Sequence, residues 1–248
     1  MSIFRDIRNA FAFMSVIPFP VSSNWDEKDA GRAALFFPLV GWSIGALSGA
    51  AYPLFLNCFS KTLSAVLTLI LWILLSGGLH WDGLADCADS FAYPGTPERR
   101  REIMKDPRNG TFGTLSLICG LLLKFSLIEA ASETNSFWVF GAVGALSRWA
   151  TLFLLRFPSA NPKGMAAALR PGFRKGTELL SLPLVLISLA FCGVSSFLLI
   201  PFSLLVVFGV GKLACEKIEG ITGDVFGMSI EIIELFLLLI TEGAKWTF

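Results

Sequence analysis

The long uncharged stretches of this chain restrict its fold more than any other feature. Residues 33–60 contain no Asp, Glu, Lys or Arg, and neither do residues 62–80 or 179–211. A transmembrane helix needs about 20 apolar residues, so the first two stretches could each form one span and the third is too long for one. The composition agrees, because 54% of the residues are hydrophobic and only 16% are charged. A water-soluble or disordered chain is therefore excluded.

The apolar segments predict an all-α, polytopic membrane bundle of about six to seven transmembrane helices in a single domain, residues 1–248. Pro201 lies near the centre of the third stretch and is expected to divide it into two helices or to produce one kinked, re-entrant pair. Two further apolar segments, 111–131 and 136–157, contain few charges. A shorter run at 229–241 forms the last predicted helix.

Lysine and arginine residues are concentrated in alternate loops. The basic loops precede the first span and follow the second, fourth and sixth spans. In that order they contain Arg5, Arg8, Lys28 and Arg32; Arg99, Arg100, Arg101, Lys105 and Arg108; Lys163, Arg170, Arg174 and Lys175; and Lys212 and Lys217. The intervening loops, such as 132–135, are almost free of basic residues. Loops rich in Lys and Arg remain in the cytoplasm, which predicts a cytoplasmic N-terminus and a functional site on that face. The segment from Arg5 to Pro20 is predicted to be an interfacial helix.

An acidic stripe begins directly at the end of the second span. The net charge of the chain is only +1, which argues against a nucleic-acid partner, yet residues 80–110 contain 11 of its 39 charged residues. If this segment is helical, Asp82, Asp86 and Asp89 lie within about 60° of one another on one face. Like charges at this spacing destabilise a helix, and oxygen ligands of this kind suit Mg²⁺. The pattern favours a metal site, and the alternative is a solvated acidic face.

Basic residues lie beside a turn at the start of the third span. Lys105 and Arg108 flank Asp106 and precede Gly110, an arrangement that suits an anionic phosphate. The alternative is that these cations only mark the cytoplasmic side of the membrane, which is sufficient to explain residues 99–101.

A second acidic cluster lies near the C-terminus, around Thr222 and Asp224. Asp224 and Glu231 are seven residues apart and so share a helix face, and Glu234 follows them. Carboxylates inside an apolar run are costly without a partner, so we expect this cluster to complete the metal site.

Several charged residues lie inside the predicted spans. Arg148 should face the bundle interior, where it pairs with an aspartate, binds a phosphate or forms a structural ion pair. Lys124 and Arg156 are expected to extend toward the membrane surface. His80, the only histidine, could be a general base, a phosphate donor or a polar anchor at the interface.

Three segments of the chain, in order, resemble the cobalamin synthase (adenosylcobinamide-GDP ribazoletransferase) family. Residues 80–89, HWDGLADCAD, are similar to the family's H-L-D-G-L-A-D-T-A-D, and residues 103–113 to its I-M-K-D-P-R-I-G-T-[FY]-G. Residues 222–224 match the late T-G-D. Trp81 and Asn109 depart from the family pattern, but no departure removes a carboxylate.

The resemblance implies a Mg²⁺-dependent transfer in the bacterial inner membrane. The ribose 3′-hydroxyl of α-ribazole, or of its 5′-phosphate, would displace GMP from adenosylcobinamide-GDP. Other cobamide-assembly enzymes or a second copy of the chain are the further partners that this function leaves open. A more distant analogy is to CDP-alcohol phosphotransferases, which also hold aspartates at the cytoplasmic interface.

The residue chemistry and the resemblance together give one set of candidate site residues. The predicted metal ligands are Asp82, Asp86, Asp89, Asp106 and Asp224; the predicted phosphate and substrate contacts are Lys105, Arg108, Arg148, Thr222 and Gly83. The base is expected to be Asp89 or His80.

Two functions from other classes compete with this enzyme. A transporter would use Arg148, Lys124 and Glu129 as pathway residues within the membrane. A structural membrane scaffold would explain the many apolar segments but would leave the three aspartates of the acidic stripe without a function.

Overall fold

The computed structural model describes residues 3–19, 26, 28–131 and 135–243, and these are helical throughout the bundle. Its twelve α-helices are α1 (Ile3–Met14), α2 (Asp29–Ala33), α3 (Phe37–Leu56), α4 (Lys61–Ser76), α5 (Leu79–Ala92), α6 (Pro97–Ile103), α7 (Thr111–Ala130), α8 (Ser136–Thr151), α9 (Met165–Ala168), α10 (Thr177–Ala190), α11 (Leu199–Ile218) and α12 (Gly223–Gly243). Within the described ranges there is no strand, only an isolated bridge between Ser159 and Ile221. The all-α prediction is confirmed.

All seven predicted apolar segments form helices, but fewer qualify as membrane spans. Among the described residues, four segments are long and apolar enough to cross a bilayer, namely Asp29–Leu56, Thr111–Ala130, Ser136–Arg156 and Val194–Ile218. Helices α4 and α5 add a fifth if their pair, bent by 88°, counts as one broken span. Helix α10 has only 14 residues, and α12 carries acidic side chains inside its apolar sequence.

The long uncharged stretch breaks before the expected place, at residues 191–193. Helix α10 ends at Ala190, and a short 3-10 turn at Val194–Leu198 leads into α11. Pro201 lies in the first turn of α11, where its missing N–H has no intrahelical partner to lose. Gly193 makes the turn instead, with a φ of 92°. The prediction of a break at Pro201 is therefore wrong.

Small residues bring α3 and α8 into close contact. Gly41, Gly45 and Gly49 recur every four residues on α3, and a methyl group at any of them would overlap the backbone of α8. This spacing of small residues lets membrane helices pack at short distance. Helix α12 then packs against α5, α7, α8 and α11, which makes it the central helix of the site.

The N-terminal segment is helical, as predicted, over α1. Its expected end at Pro20 and most of the 132–135 loop lie outside the described residues. On α2, Asp29 is fully buried and pairs with Arg32 of the same helix and with Arg5 of α1, which fixes α1 against α2.

Candidate active site

A pair of glycines turns the chain sharply at the end of α4. Gly77 and Gly78 have φ angles of 70° and 69°, a left-handed conformation that other residues adopt at a cost. The resulting bend of 88° separates α5 from the axis of α4. The acidic segment thus forms a helix of its own that begins at Leu79.

Helix α5 presents the predicted acidic stripe. Asp82 is exposed and Asp86 and Asp89 are half-buried, whereas Leu84 and Phe91 on the other side are buried. The apolar side packs the helix into the bundle, so the aspartates remain accessible at its surface. The predicted helix and its two faces are confirmed.

The start of α12 joins the stripe through a glycine contact. Gly83 lies so close to α12 that an added Cβ would be 2.7 Å from the Asp224 carbonyl oxygen and 2.9 Å from its Cα. The carboxylates of Asp82, Asp89 and Asp224 are all near enough to Asp86 to repel its charge. Gly83 therefore acts through packing, because it allows Asp224 to approach the stripe.

We expect Gly83→Ala to destabilise the protein by about 1–3 kcal/mol, since backbone atoms of α12 cannot yield to the new methyl group. Thermal unfolding of the detergent-solubilised variant measures the effect. Gly209→Ala is the matched control, because nothing lies within 4 Å of a Cβ at that position. Equal unfolding temperatures for the two variants would contradict the packing role.

Asp89 has a structural partner that the sequence analysis missed. Its two carboxylate oxygens accept hydrogen bonds from the backbone N–H groups of Gly110 (2.7 Å) and Gly113 (2.8 Å). Asp89 thereby caps the N-terminus of α7 from the neighbouring helix. Gly110 and Gly113 are the sequence signal for this contact, since a side chain at either position would collide with the Asp89 carboxylate.

Asp106 and Arg108 are paired with each other. The Arg108 guanidinium donates to both Asp106 carboxylate oxygens, at 2.9 and 2.7 Å. This hydrogen bonding lowers the pKa of Asp106 to about 2, so its carboxylate is ionised at physiological pH. Arg108 is 86% exposed. Asp106, a predicted metal ligand, and Arg108, a predicted phosphate contact, are thus paired with each other in this structure.

A pocket of about 470 Å³ lies beside the N-terminus of α12. Lys105, Thr222 and Asp224, all predicted site residues, contribute to its lining. Within the described ranges, Lys105 forms no ion pair with a carboxylate. The Thr222 hydroxyl donates to Asp224 (3.2 Å) and accepts from the N–H of Val225 (3.3 Å), which fixes the turn at the pocket.

Two arginines fix α6 as one wall of this pocket. Arg100 donates to the carbonyl oxygen of Lys217 (3.1 Å), and Arg101 donates to that of Ile218 (2.8 Å). Cations at the last carbonyls of a helix are favourable, and here they satisfy the C-terminus of α11. These residues therefore do more than mark membrane orientation. On the opposite wall, Ala160 and Ile221 are joined by a backbone hydrogen bond of 3.0 Å.

A buried ion cluster lies beneath the aspartates. Lys124 of α7 donates to Glu231 (2.8 Å) and Glu234 of α12, and Arg148 of α8 donates to Glu234. Arg148 also contacts His80 of α5, with 3.3 Å between Nη2 and Nδ1. All five side chains are buried.

This cluster overturns two of the sequence expectations, for Lys124 and Glu231, and selects among the alternatives for Arg148 and His80. Lys124 does not extend to the membrane surface, and Glu231 pairs with Lys124 instead of joining the acidic stripe. Arg148 faces the interior, as expected, but as part of a structural ion pair. His80 is 4% exposed and fits the anchor interpretation.

The family model for cobalamin-5-phosphate synthase matches residues 6–242. The chain belongs to the cobalamin-5-phosphate synthase family. Two curated relatives named adenosylcobinamide-GDP ribazoletransferase illustrate the similarity. That of Ralstonia pickettii is 33% identical over 92% of this chain and 91% of its own length, and that of Desulfitobacterium hafniense is 35% identical over 96% and 97%. No solved structure matches significantly.

One departure from the cobalamin-5-phosphate synthase pattern has a structural reason. Trp81 takes the place of the usual leucine, and its ring centroid lies 5.2 Å from the Lys124 ammonium group. Trp72 contacts the same ammonium at 4.7 Å. The two indoles enclose the buried cation and stabilise its charge.

Some residues of the site gave no signal in the sequence. The segment from Ser159 to Ala166 lines the pocket through Asn161 and Met165, although no motif distinguishes it. It reaches the site only through its pairing with Ile221, a contact between parts of the chain about 60 residues apart. A contact between distant segments leaves no local pattern, so it could not be predicted from this single sequence of the cobalamin-5-phosphate synthase family.

Proposed function

We propose that this chain transfers the adenosylcobinamide-phosphate group of adenosylcobinamide-GDP to α-ribazole or its 5′-phosphate, with release of GMP. The observation that carries the proposal is the meeting of Asp224 with the aspartates of α5 at the edge of a pocket that also contains Lys105. Acidic oxygens beside an unpaired ammonium are what a metal-dependent displacement at phosphorus requires. The names of the relatives supply the substrates.

In this reaction one P–O bond forms and one breaks. The ribose 3′-hydroxyl attacks the phosphorus attached to the corrinoid arm, and the P–O–P bridge opens with GMP as the leaving group. The hydroxyl proton passes to a base. Positioning and charge neutralisation account for most of the catalysis in such a step.

The aspartates fit Mg²⁺ by their donor chemistry. Asp82, Asp86 and Asp224 offer only oxygen ligands, and no described lysine or arginine forms an ion pair with them. Among the described residues, no three His, Cys, Asp or Glu side chains are close enough together to form a metal cage. Mg²⁺ commonly takes one or two carboxylates and completes its shell with water and substrate phosphates. When bound, it would neutralise the pyrophosphate and stabilise the departing phosphate of GMP.

The remaining roles follow from accessibility. Lys105 is exposed at the pocket and can donate to a non-bridging phosphate oxygen. Asp89 is half-buried at the stripe and retains free lone pairs after capping α7, so we assign it the base. His80 is enclosed by Arg148 and Glu231 and is left to position α5. The alternation of basic loops supports a site on the cytoplasmic side.

The direct test uses the purified full-length protein in detergent with Mg²⁺, adenosylcobinamide-GDP and α-ribazole or its 5′-phosphate. We expect cobamide and GMP in equal amounts, and no reaction after chelation of the metal. Substrate flux through proteoliposomes without GMP release would instead support the transporter. Full activity in a chelator would exclude the metal.

Lys105→Met should weaken phosphate binding, because a charge-assisted hydrogen bond contributes about 1.5–3 kcal/mol. We expect the KM for adenosylcobinamide-GDP to rise at least about tenfold. Lys212→Met is the matched control, since Lys212 is exposed on α11 and does not line the pocket. The same KM in both variants would remove Lys105 from the site.

A further inference from the structure

We infer that the pocket beside α12 binds the guanosine part of adenosylcobinamide-GDP. Side chains of α6 and of the loop that contains Asn161 would recognise the guanine base. This inference rests on the proposed function and deepens it, because it assigns one of the two substrates to a particular set of side chains. It also predicts which nucleotides the pocket rejects.

The size of the pocket restricts its occupant. A volume of about 470 Å³ is typical of a small-ligand site and suits a nucleoside. A corrin macrocycle is much larger than a nucleoside and must lie outside. The choice is therefore between guanosine and α-ribazole, which have similar dimensions.

The acceptors that line the pocket favour guanine. Glu98 and Glu102 both line it, and their carboxylates are 63% exposed. Each pairs with an arginine on the same helix, and such exposed pairs cost little to rearrange. Guanine offers N1–H and N2–H₂ donors to a carboxylate. The dimethylbenzimidazole of α-ribazole has no N–H group once it is glycosylated, so it has nothing to donate to either carboxylate.

Asn161 supplies the complementary donor. Its side-chain oxygen accepts a hydrogen bond from the N–H of Lys163 at 3.0 Å, which fixes the amide orientation. The amide NH₂ group therefore remains as a donor, and guanine O6 and N7 are acceptors. Adenine has the opposite pattern at positions 1 and 6 of its ring, because its N1 is an acceptor and its N6 a donor.

The rest of the lining suits a purine ring followed by phosphates. Met104, Met165 and Ile221 contribute apolar surface, and methionine packs well against aromatic rings. Asp224 lines the same pocket and also lies beside the acidic stripe. A guanosine bound here can thus direct its phosphates toward the aspartates, where the proposed chemistry occurs.

The test measures binding of GMP, IMP and AMP to the full-length protein in detergent by calorimetry. IMP lacks only the N2 amino group. We expect GMP to bind at least about tenfold more tightly than IMP and AMP, and the double variant Glu98→Gln/Glu102→Gln to lose most of this preference. Glu216→Gln, an exposed carboxylate outside the pocket, should retain it. Equal binding of GMP and IMP to the wild-type protein, or an unchanged preference in the double variant, would overturn the inference.

A photoreactive probe gives an answer that does not depend on how well the variants fold. 6-Thioguanosine 5′-monophosphate, irradiated with the wild-type protein, should label peptides within residues 97–105 or 158–166. Labelling only elsewhere would overturn the inference. Both experiments are independent of turnover, so the enzyme could release GMP from its substrate, as the proposed function requires, even if the guanine assignment failed.

Discussion

Asp82→Asn is expected to reduce GMP release by about 10²–10³-fold or more while the protein remains folded in detergent. Asp82 is exposed on α5 and has no ion-pair partner within the described part of the chain, so its replacement removes charge without disturbing packing. The proposed metal would lose one of its few protein ligands. Single-turnover release of GMP at saturating substrate measures the loss.

The same substitution at a distant site provides the control. Asp26 is 57% exposed, and the ion pair that its carboxylate forms with the described residues is a long one of 3.7 Å with Arg32, so Asp26→Asn should retain full activity. Raising the Mg²⁺ concentration should partly restore Asp82→Asn, because a lost ligand lowers metal affinity. Near-normal turnover of Asp82→Asn at low Mg²⁺ would end the metal assignment.

Lys124→Met is expected to destabilise the protein by about 3–5 kcal/mol, the usual cost of removing one partner from a buried ion pair. Lys124 is fully buried between Glu231 and Glu234. Among the described residues its loss leaves the Arg148 guanidinium, which pairs with Glu234, as the one permanent cation of the cluster. The two indoles over the ammonium would also lose their cation. Thermal unfolding in detergent and the yield of monodisperse protein measure the effect.

A second substitution separates the charge effect from the packing effect. Glu231→Gln in the Lys124→Met background returns the cluster to a balance of one acid and one base, so it should recover part of the lost stability. Leu122→Met on the same helix is the control, because Leu122 is 61% exposed. No difference in unfolding temperature between Lys124→Met and the wild-type protein would show that the cluster contributes little.

The sequence predicted the helices well because bilayer thickness restricts apolar segments so strongly. It failed at Pro201, since proline breaks a helix in its interior but is tolerated in its first turn. It failed again at Lys124, because a lysine inside an apolar run has the same local pattern whether it reaches the interface or meets a buried carboxylate. The partner, Glu231, is 107 residues away.

The candidate site was predictable where it depends on local spacing. Asp82, Asp86 and Asp89 share a face because of helix geometry alone. The capping of α7 by Asp89 and the docking of α6 by Arg101 depend instead on contacts between distant segments. The family resemblance identified the same segments but gave no separate roles to the residues within them.

The buried ion cluster also has a consequence for biogenesis. Its two cations lie on α7 and α8, whereas both anions lie on α12, close to the end of the chain. During synthesis the basic helices are complete before their acidic partners have left the ribosome. Until then Lys124 and Arg148 must be kept hydrated, at the membrane surface or within the insertion machinery, because a bare charge in lipid is costly. Helix α12 therefore completes the ion cluster as well as the site.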